Sequence, residues 1–174
     1  MLKKRINIFY LILSLMLWVA TFFWMIFIFF LSNESGNVYD IRMDYLSTII
    51  DSYLKVNVSV SDLRYVVNTF QFGFLAFIMY YAMSATDNIS EDEYLFDASE
   101  SASITTENET YILFTFWFTI LYAVIDEYHQ LFIYGRQGRV TDLLIDAIAI
   151  VVVLIIIRLA YVIRTKFSSD KKFQ

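Results

Sequence analysis

The chain contains no cysteine, no proline, a single histidine and four glycines in 174 residues. Without cysteine there is no disulfide, no thiolate nucleophile and no cysteine-based zinc site, and nothing marks the redox compartment. The glycines are Gly36, Gly73, Gly135 and Gly138, and the last two, close together between two apolar runs, mark a sharp turn. Charge is scarce as well. Charged residues make up 18%, below the roughly 25% of an ordinary globular chain. Apolar residues take that room, at 59% of the chain, with Phe, Tyr and Trp alone at 19%. This is not the composition of a water-soluble domain. The formal net charge of -5 argues against nucleic acid as a partner, although the acids are concentrated in one segment.

Four long apolar runs carry the organisation. From Ile6 to Leu31 no charged residue occurs, and about 20 apolar residues suffice to cross a bilayer. Lys3, Lys4 and Arg5 precede this run as they would in a signal peptide. The apolar stretch is too long for one and lacks a cleavage site, so an uncleaved span is expected. A second run, Leu63 to Ser84, carries Arg64, Asn68 and Gln71 in its first half. A third starts at Tyr111 and reaches Ile125, too short to cross by itself. The turn Asp126 to Gln130 must therefore complete that helix. The fourth runs from near Asp142 to near Arg164. The expected architecture is all-α: a polytopic membrane protein with spans at about 6–31, 63–84, 111–132 and 141–164, forming a single four-helix domain.

The connectors differ. Residues 85–110 hold eight acids and no base, the composition of a flexible, solvated loop. In residues 41–55, Ile41, Tyr45, Ile49, Ile50, Tyr53 and Leu54 project to one side of a helix, with Asp44, Ser47, Thr48, Asp51 and Lys55 on the other. That pattern suits an amphipathic helix, either lying in the membrane interface or packed on the bundle as a lid. Lysines and arginines at both ends of the chain place both termini, and with them the acidic loop, in the cytoplasm.

The opposite face then collects the membrane-depth polarity. The end of span 1 brings Ser32, Asn33 and Glu34, and the start of span 2 brings Arg64, Asn68 and Gln71. The span 3–4 hairpin brings Asp126, Glu127, His129, Gln130, Arg136, Arg139, Asp142 and Asp146. Ionisable groups in spans are costly and are functional candidates by default. Helical spacing lets Asp126 accept from His129 or Gln130. The arginines are positioned to pair with Asp142, Asp146 or Glu127. Three chemical readings stand: mutual neutralisation closing a hairpin, a His129 general base oriented by Asp126 beside Glu127, or ligand binding through Arg136. Asp126-x-x-His129 is also metal-ligand spacing, but one histidine without cysteine is a weak signal. No metal and no cofactor is assigned.

The stretch YAVIDEYHQLFIYGRQGRVTDLLIDAIA, Tyr122 to Ala149, resembles the VanZ-like family. That family has Asp-Glu-x-x-Gln with His before the Gln, then Pro-Gly-Arg, a span-opening Asp and a polar residue four later. Asp126, Glu127, His129, Gln130, Gly135, Arg136, Asp142 and Asp146 match this pattern, and Tyr134 replaces the Pro. FIFFLSNESG, Phe27 to Gly36, and LRYVVNTFQFGFLAF, Leu63 to Phe77, are similar more loosely. In the second stretch Tyr65, Asn68, Gln71 and Phe72 stand where the family has Lys, His, Glu and Tyr. These departures mark a divergent member, with amides in place of two ionisable groups.

The resemblance implies a multi-pass protein of the bacterial cell membrane associated with reduced susceptibility to glycopeptide antibiotics, teicoplanin in particular. Membrane lipid, a lipid-linked wall precursor or a lipoglycopeptide is then the expected partner. A membrane hydrolase or transferase acting on a lipid-linked substrate, or a structural partner of another membrane protein, are the alternatives.

Overall fold

The computed structural model describes residues 5–91 and 100–171. Five helices follow one another along the chain: α1 (Ile8–Ser32), α2 (Gly36–Leu54), α3 (Val60–Asp87), α4 (Glu100–Gln130) and α5 (Val140–Lys171). The expected all-α architecture is the one observed. Four helices are long and apolar enough to cross a membrane, over Ile8–Ser32, Val60–Asp87, Glu109–Gln130 and Val140–Arg164. α4 ends at Gln130, so Asp126 to Gln130 do form its last turn. α3 continues to Asp87 and α4 begins at Glu100, so much of the segment expected as loop is helical. Residues 92–99 lie outside the described residues. A two-residue antiparallel pairing, β1 (Arg5–Ile6) with β2 (Ser90–Glu91), joins the chain before α1 to the chain after α3.

α3 is the hub and packs against each of the other four helices. Half of its most hydropathic stretch is buried, against 17% for α1 and α4 and 28% for α5. Small residues on its faces, Gly73, Ala76, Ala82 and Ala85, let neighbours approach closely. Leu75, Ala76 and Ala123 meet Ile28 and Ile150 in the core. The outward faces are apolar too: Phe22, Phe23, Phe30, Trp117 and Ile156 are all well exposed. Water would not tolerate so large an apolar surface, whereas hydrocarbon does.

Polar groups inside the bundle join helices to one another. Trp24 Nε1 donates to the Gln71 carbonyl at 2.9 Å, and Tyr122 Oη donates to the Met25 carbonyl at 2.6 Å. Ser14 and Thr86 hydroxyls meet at 2.7 Å, with Trp18 Nε1 donating to the same Thr86 oxygen at 2.9 Å. Each group would otherwise be stranded in lipid. At the helix starts, Asn7 caps α1 and Ser59 caps α3 through side-chain oxygens.

α2 divides its expected apolar side in two. Tyr39, Met43, Leu46 and Ile50 face α3 and pack on Leu63, Val58, Val60 and Val67. Ile41, Tyr45 and Tyr53, expected together on the apolar side, are exposed, while Ile50 of the same expected side is packed. At 100° per residue the helix has three sides: one packed, one acidic through Asp40, Asp44 and Asp51, and one apolar and unpacked. That three-way division fits a helix bordering protein, water and acyl chains together.

Candidate functional site

The end of α1, the starts of α2 and α3, the end of α4 and the start of α5 lie at one end of the bundle. The connector Leu131–Arg139 is a chain of tight turns. Phe132 N–H donates to the His129 carbonyl at 3.0 Å, Ile133 to Gln130 at 3.1 Å, and Arg136 to Ile133 at 3.1 Å. Gly135 has φ +75°, a conformation that a side chain would strain. Gly36, at the start of α2, sits directly on it. Gly36 N–H donates to the Tyr134 carbonyl at 2.9 Å, and a Cβ at Gly36 would overlap the Gly135 carbonyl. The α1–α2 junction and the α4–α5 connector therefore meet backbone to backbone.

Arg136 fastens this corner. Its Nη2 donates to the Leu31 carbonyl at 3.1 Å, its Nε to the Glu34 carbonyl at 3.3 Å, and its Nη1 to Gln130 Oε1 at 3.4 Å. The last carbonyls of a helix have no partner within it, and Arg136 supplies one to α1. Its guanidinium also lies 4.0 Å from the centroid of the Tyr39 ring, with Arg42 at 5.2 Å and Arg64 at 5.4 Å from the same ring. Burial pushes the Tyr39 phenol above its ordinary range, and the surrounding arginines only partly oppose this. Burial likewise lowers Arg136, a guanidinium basic enough to remain charged.

The acids take separate roles. Asp126 accepts from Gln130 Nε2 at 2.9 Å and faces the Ser32 hydroxyl. It does not bind His129, as helical spacing alone had allowed. The His129 ring lies against Phe29 at 5.1 Å, and its Nε2 is buried without a hydrogen-bond partner among the described residues. Glu127 accepts the backbone N–H of Arg139, capping α5 at the end where its dipole favours an anion. Asp142 stands in the first turn of α5 for the same reason. Asp146 is 3% exposed, and its Oδ1 has no partner among the described residues. Among those residues, no group of three or more His, Asp and Glu is arranged to hold a metal ion.

Above this layer a polar cavity of about 220 Å³ opens between α2, α3 and the connector. Its cationic lining is Arg64, Arg136 and Arg139; Asp40 and Asp142 are its acids. Arg64 pairs with Asp40. Arg139 reaches only the Gln137 amide, at 3.1 Å, and Arg136 spends its donors on carbonyls and an amide. Among the described residues neither the Arg136 nor the Arg139 guanidinium is ion-paired with a carboxylate, so the expected side-chain pairing with Asp142, Asp146 or Glu127 does not form. Both guanidinium groups line the cavity without an ion-pair partner, Arg136 with its donors engaged and Arg139 with most of its donors unengaged.

The VanZ/LLP1 family profile matches residues 16–161, which takes in the second and third spans, most of the first and fourth, and the whole of this corner. The chain belongs to the VanZ/LLP1 family. No curated protein and no solved structure matches it.

In this VanZ/LLP1 chain the residues singled out from the sequence gather at one end of the bundle but split into two layers. Arg64, Asn68, Gln130, Arg136, Arg139 and Asp142 line the cavity. Asp126, Glu127, His129, Asp146 and Gln71 do not. They cap, brace or pack beneath it. The residues that sequence reasoning passed over belong to α2: Gly36, Tyr39 and Asp40 line the cavity, and Arg42 pairs with Glu34 at 3.1 Å. The available signal was Gly36 beside a helix start, one of only four glycines.

Proposed function

We propose that this VanZ/LLP1 protein sits in the bacterial cytoplasmic membrane with both termini inside, and that its arginine-lined cavity opens on the outer face. There it binds the anionic group of a lipid headgroup, a lipid-linked wall precursor or a teicoplanin-type lipoglycopeptide, and thereby lowers susceptibility to glycopeptide antibiotics. The supporting observation is the pair of guanidinium groups, Arg136 and Arg139, lining a polar cavity without carboxylate partners. An anion entering it would meet two cationic groups and gain a charge-assisted hydrogen bond from Arg139, whose guanidinium otherwise reaches only Gln137. The acid–base alternative requires His129 at the cavity, and its ring is turned onto Phe29 instead.

The experiment is expression in a susceptible bacterial host. Wild-type protein should raise the inhibitory concentration of teicoplanin more than that of vancomycin, which lacks an acyl tail. Arg139→Gln should remove the effect at equal membrane abundance, while His129→Gln should keep it. Direct binding of inorganic phosphate, a lipid phosphate or teicoplanin to the purified protein separates the sources. Resistance that survives Arg139→Gln but fails with His129→Gln would sink the binding reading in favour of catalysis.

A further inference from the structure

The polar cavity shares a wall with a second one. Tyr65 belongs to its lining and also to that of an apolar groove of about 770 Å³ between α3 and α5. The groove is walled by Phe70, Phe74 and Phe77 on α3 and by Ile148 and Val152 on α5. Its floor is Gly73, where an added Cβ would come within 3.3 Å of a Val153 methyl. The phenylalanine wall is a stacked row, Phe70 on Phe74 at 5.7 Å and Phe74 on Phe77 at 6.3 Å. Trp24 supports it from behind, 4.7 Å from Phe74.

Its length also has a scale. From Tyr65 to Phe77 the helix rises about 18 Å, and one leaflet of the hydrocarbon core is about 15 Å deep. The groove thus starts beside the arginines and runs roughly the depth of one leaflet. A second apolar groove, of about 440 Å³ between α4 and α5, is lined by Arg158 and Glu109, and these two pair with each other at 2.8 Å. It offers no free cation.

We infer that the two cavities form one site for a single amphiphile: an anionic, phosphate-type head among Arg64, Arg136 and Arg139, and one acyl chain along α3 and α5. This rests on the anion-binding reading above and adds to it a tail requirement and a second set of residues. Tyr65, at the junction, faces the boundary between head and chain.

The test compares two probes with the same head, glycerol 3-phosphate and lysophosphatidic acid, each counted on the purified protein by native mass spectrometry. Wild type should bind the acylated probe at least about tenfold more tightly. Val152→Trp and Ile148→Trp, both on lipid-facing positions, fill the groove and should close that gap while leaving glycerol 3-phosphate binding intact. Ile155→Trp, in the other groove, should leave the gap unchanged. Arg139→Gln should weaken both probes.

A gap that persists in both filling variants, or that Ile155→Trp closes equally, overturns the groove assignment and leaves the headgroup reading standing. So does a wild type with no gap. Acylated binding indifferent to Arg139→Gln overturns the shared site. If neither probe binds, the anion-binding reading itself fails, and this inference with it.

Discussion

Replacing Arg136 with alanine removes the guanidinium that joins the connector to the end of α1. Three hydrogen bonds disappear, at 3.1, 3.3 and 3.4 Å, along with the stack on Tyr39 at 4.0 Å. A hydrogen bond from a charged donor contributes roughly 1.5–3 kcal/mol. The two longer ones are weak by geometry, so together the three supply about 2–3 kcal/mol. The half-buried cation–π contact adds about 1 kcal/mol. The total is about 3–4 kcal/mol, a large share of a typical stability of about 5–15 kcal/mol. For a chain of this size that corresponds to a fall in Tm of roughly 6–16 °C, measurable by thermal unfolding of the detergent-purified protein. Arg139→Ala is the internal comparison. That side chain is exposed and meets only Gln137, so its substitution should change stability by less than about 0.5 kcal/mol. If Arg136→Ala melts within about 2 °C of wild type, the clasp is energetically empty and Arg136 serves the ligand alone.

Gly36→Ala places a methyl against the Gly135 carbonyl and should dislodge α2, seen as faster proteolysis between residues 33 and 60. Tyr39→Phe keeps the ring under the three arginines and should melt like wild type near neutral pH, whereas Tyr39→Leu should lose about 1 kcal/mol or more. Burial raises the Tyr39 phenol above its ordinary value of 10.0, so the unfolded chain ionises first. Stability held below pH 10 should decline as pH rises beyond it, less steeply in Tyr39→Phe. Asp146→Asn replaces a buried carboxylate lacking a partner at Oδ1 with a neutral isostere, and should match or exceed wild-type Tm. A clear loss would show that the charge itself is held by a group in the cavity layer.

Much of the fold was readable because lipid leaves few alternatives. A crossing requires length, and the short apolar run from Tyr111 to Ile125 forces Asp126 to Gln130 into helix. The polar end was readable for the same reason, since span parity alone brings those termini together. The partner of Arg136 was not. Local charge suggested Asp142 or Asp146, but its acceptors are carbonyls of Leu31 and Glu34, and a backbone acceptor leaves no mark in sequence. His129 was misplaced by a similar ambiguity: spacing allowed Asp126 either His129 or Gln130, and packing on Phe29 decided for the amide. Tyr39 was hidden by abundance, one ring among many in a chain that is 19% aromatic. On α2 the eye followed the larger apolar stripe, Ile41 and Tyr45, when the packed one was Tyr39 and Met43.

The bond between Arg136 and Leu31 spans 105 residues of sequence, which gives it a meaning in time as well as in space. At about 5–20 residues per second, roughly 5–20 s separate the synthesis of the two partners. Throughout that interval the first span ends in bare carbonyls and α2 has no connector to dock on. A chain stopped before its last hairpin would display an unfinished corner at the membrane surface, distinguishable from the finished protein without reference to any ligand. Closure of this corner therefore waits for the α4–α5 connector, however early the first span is made.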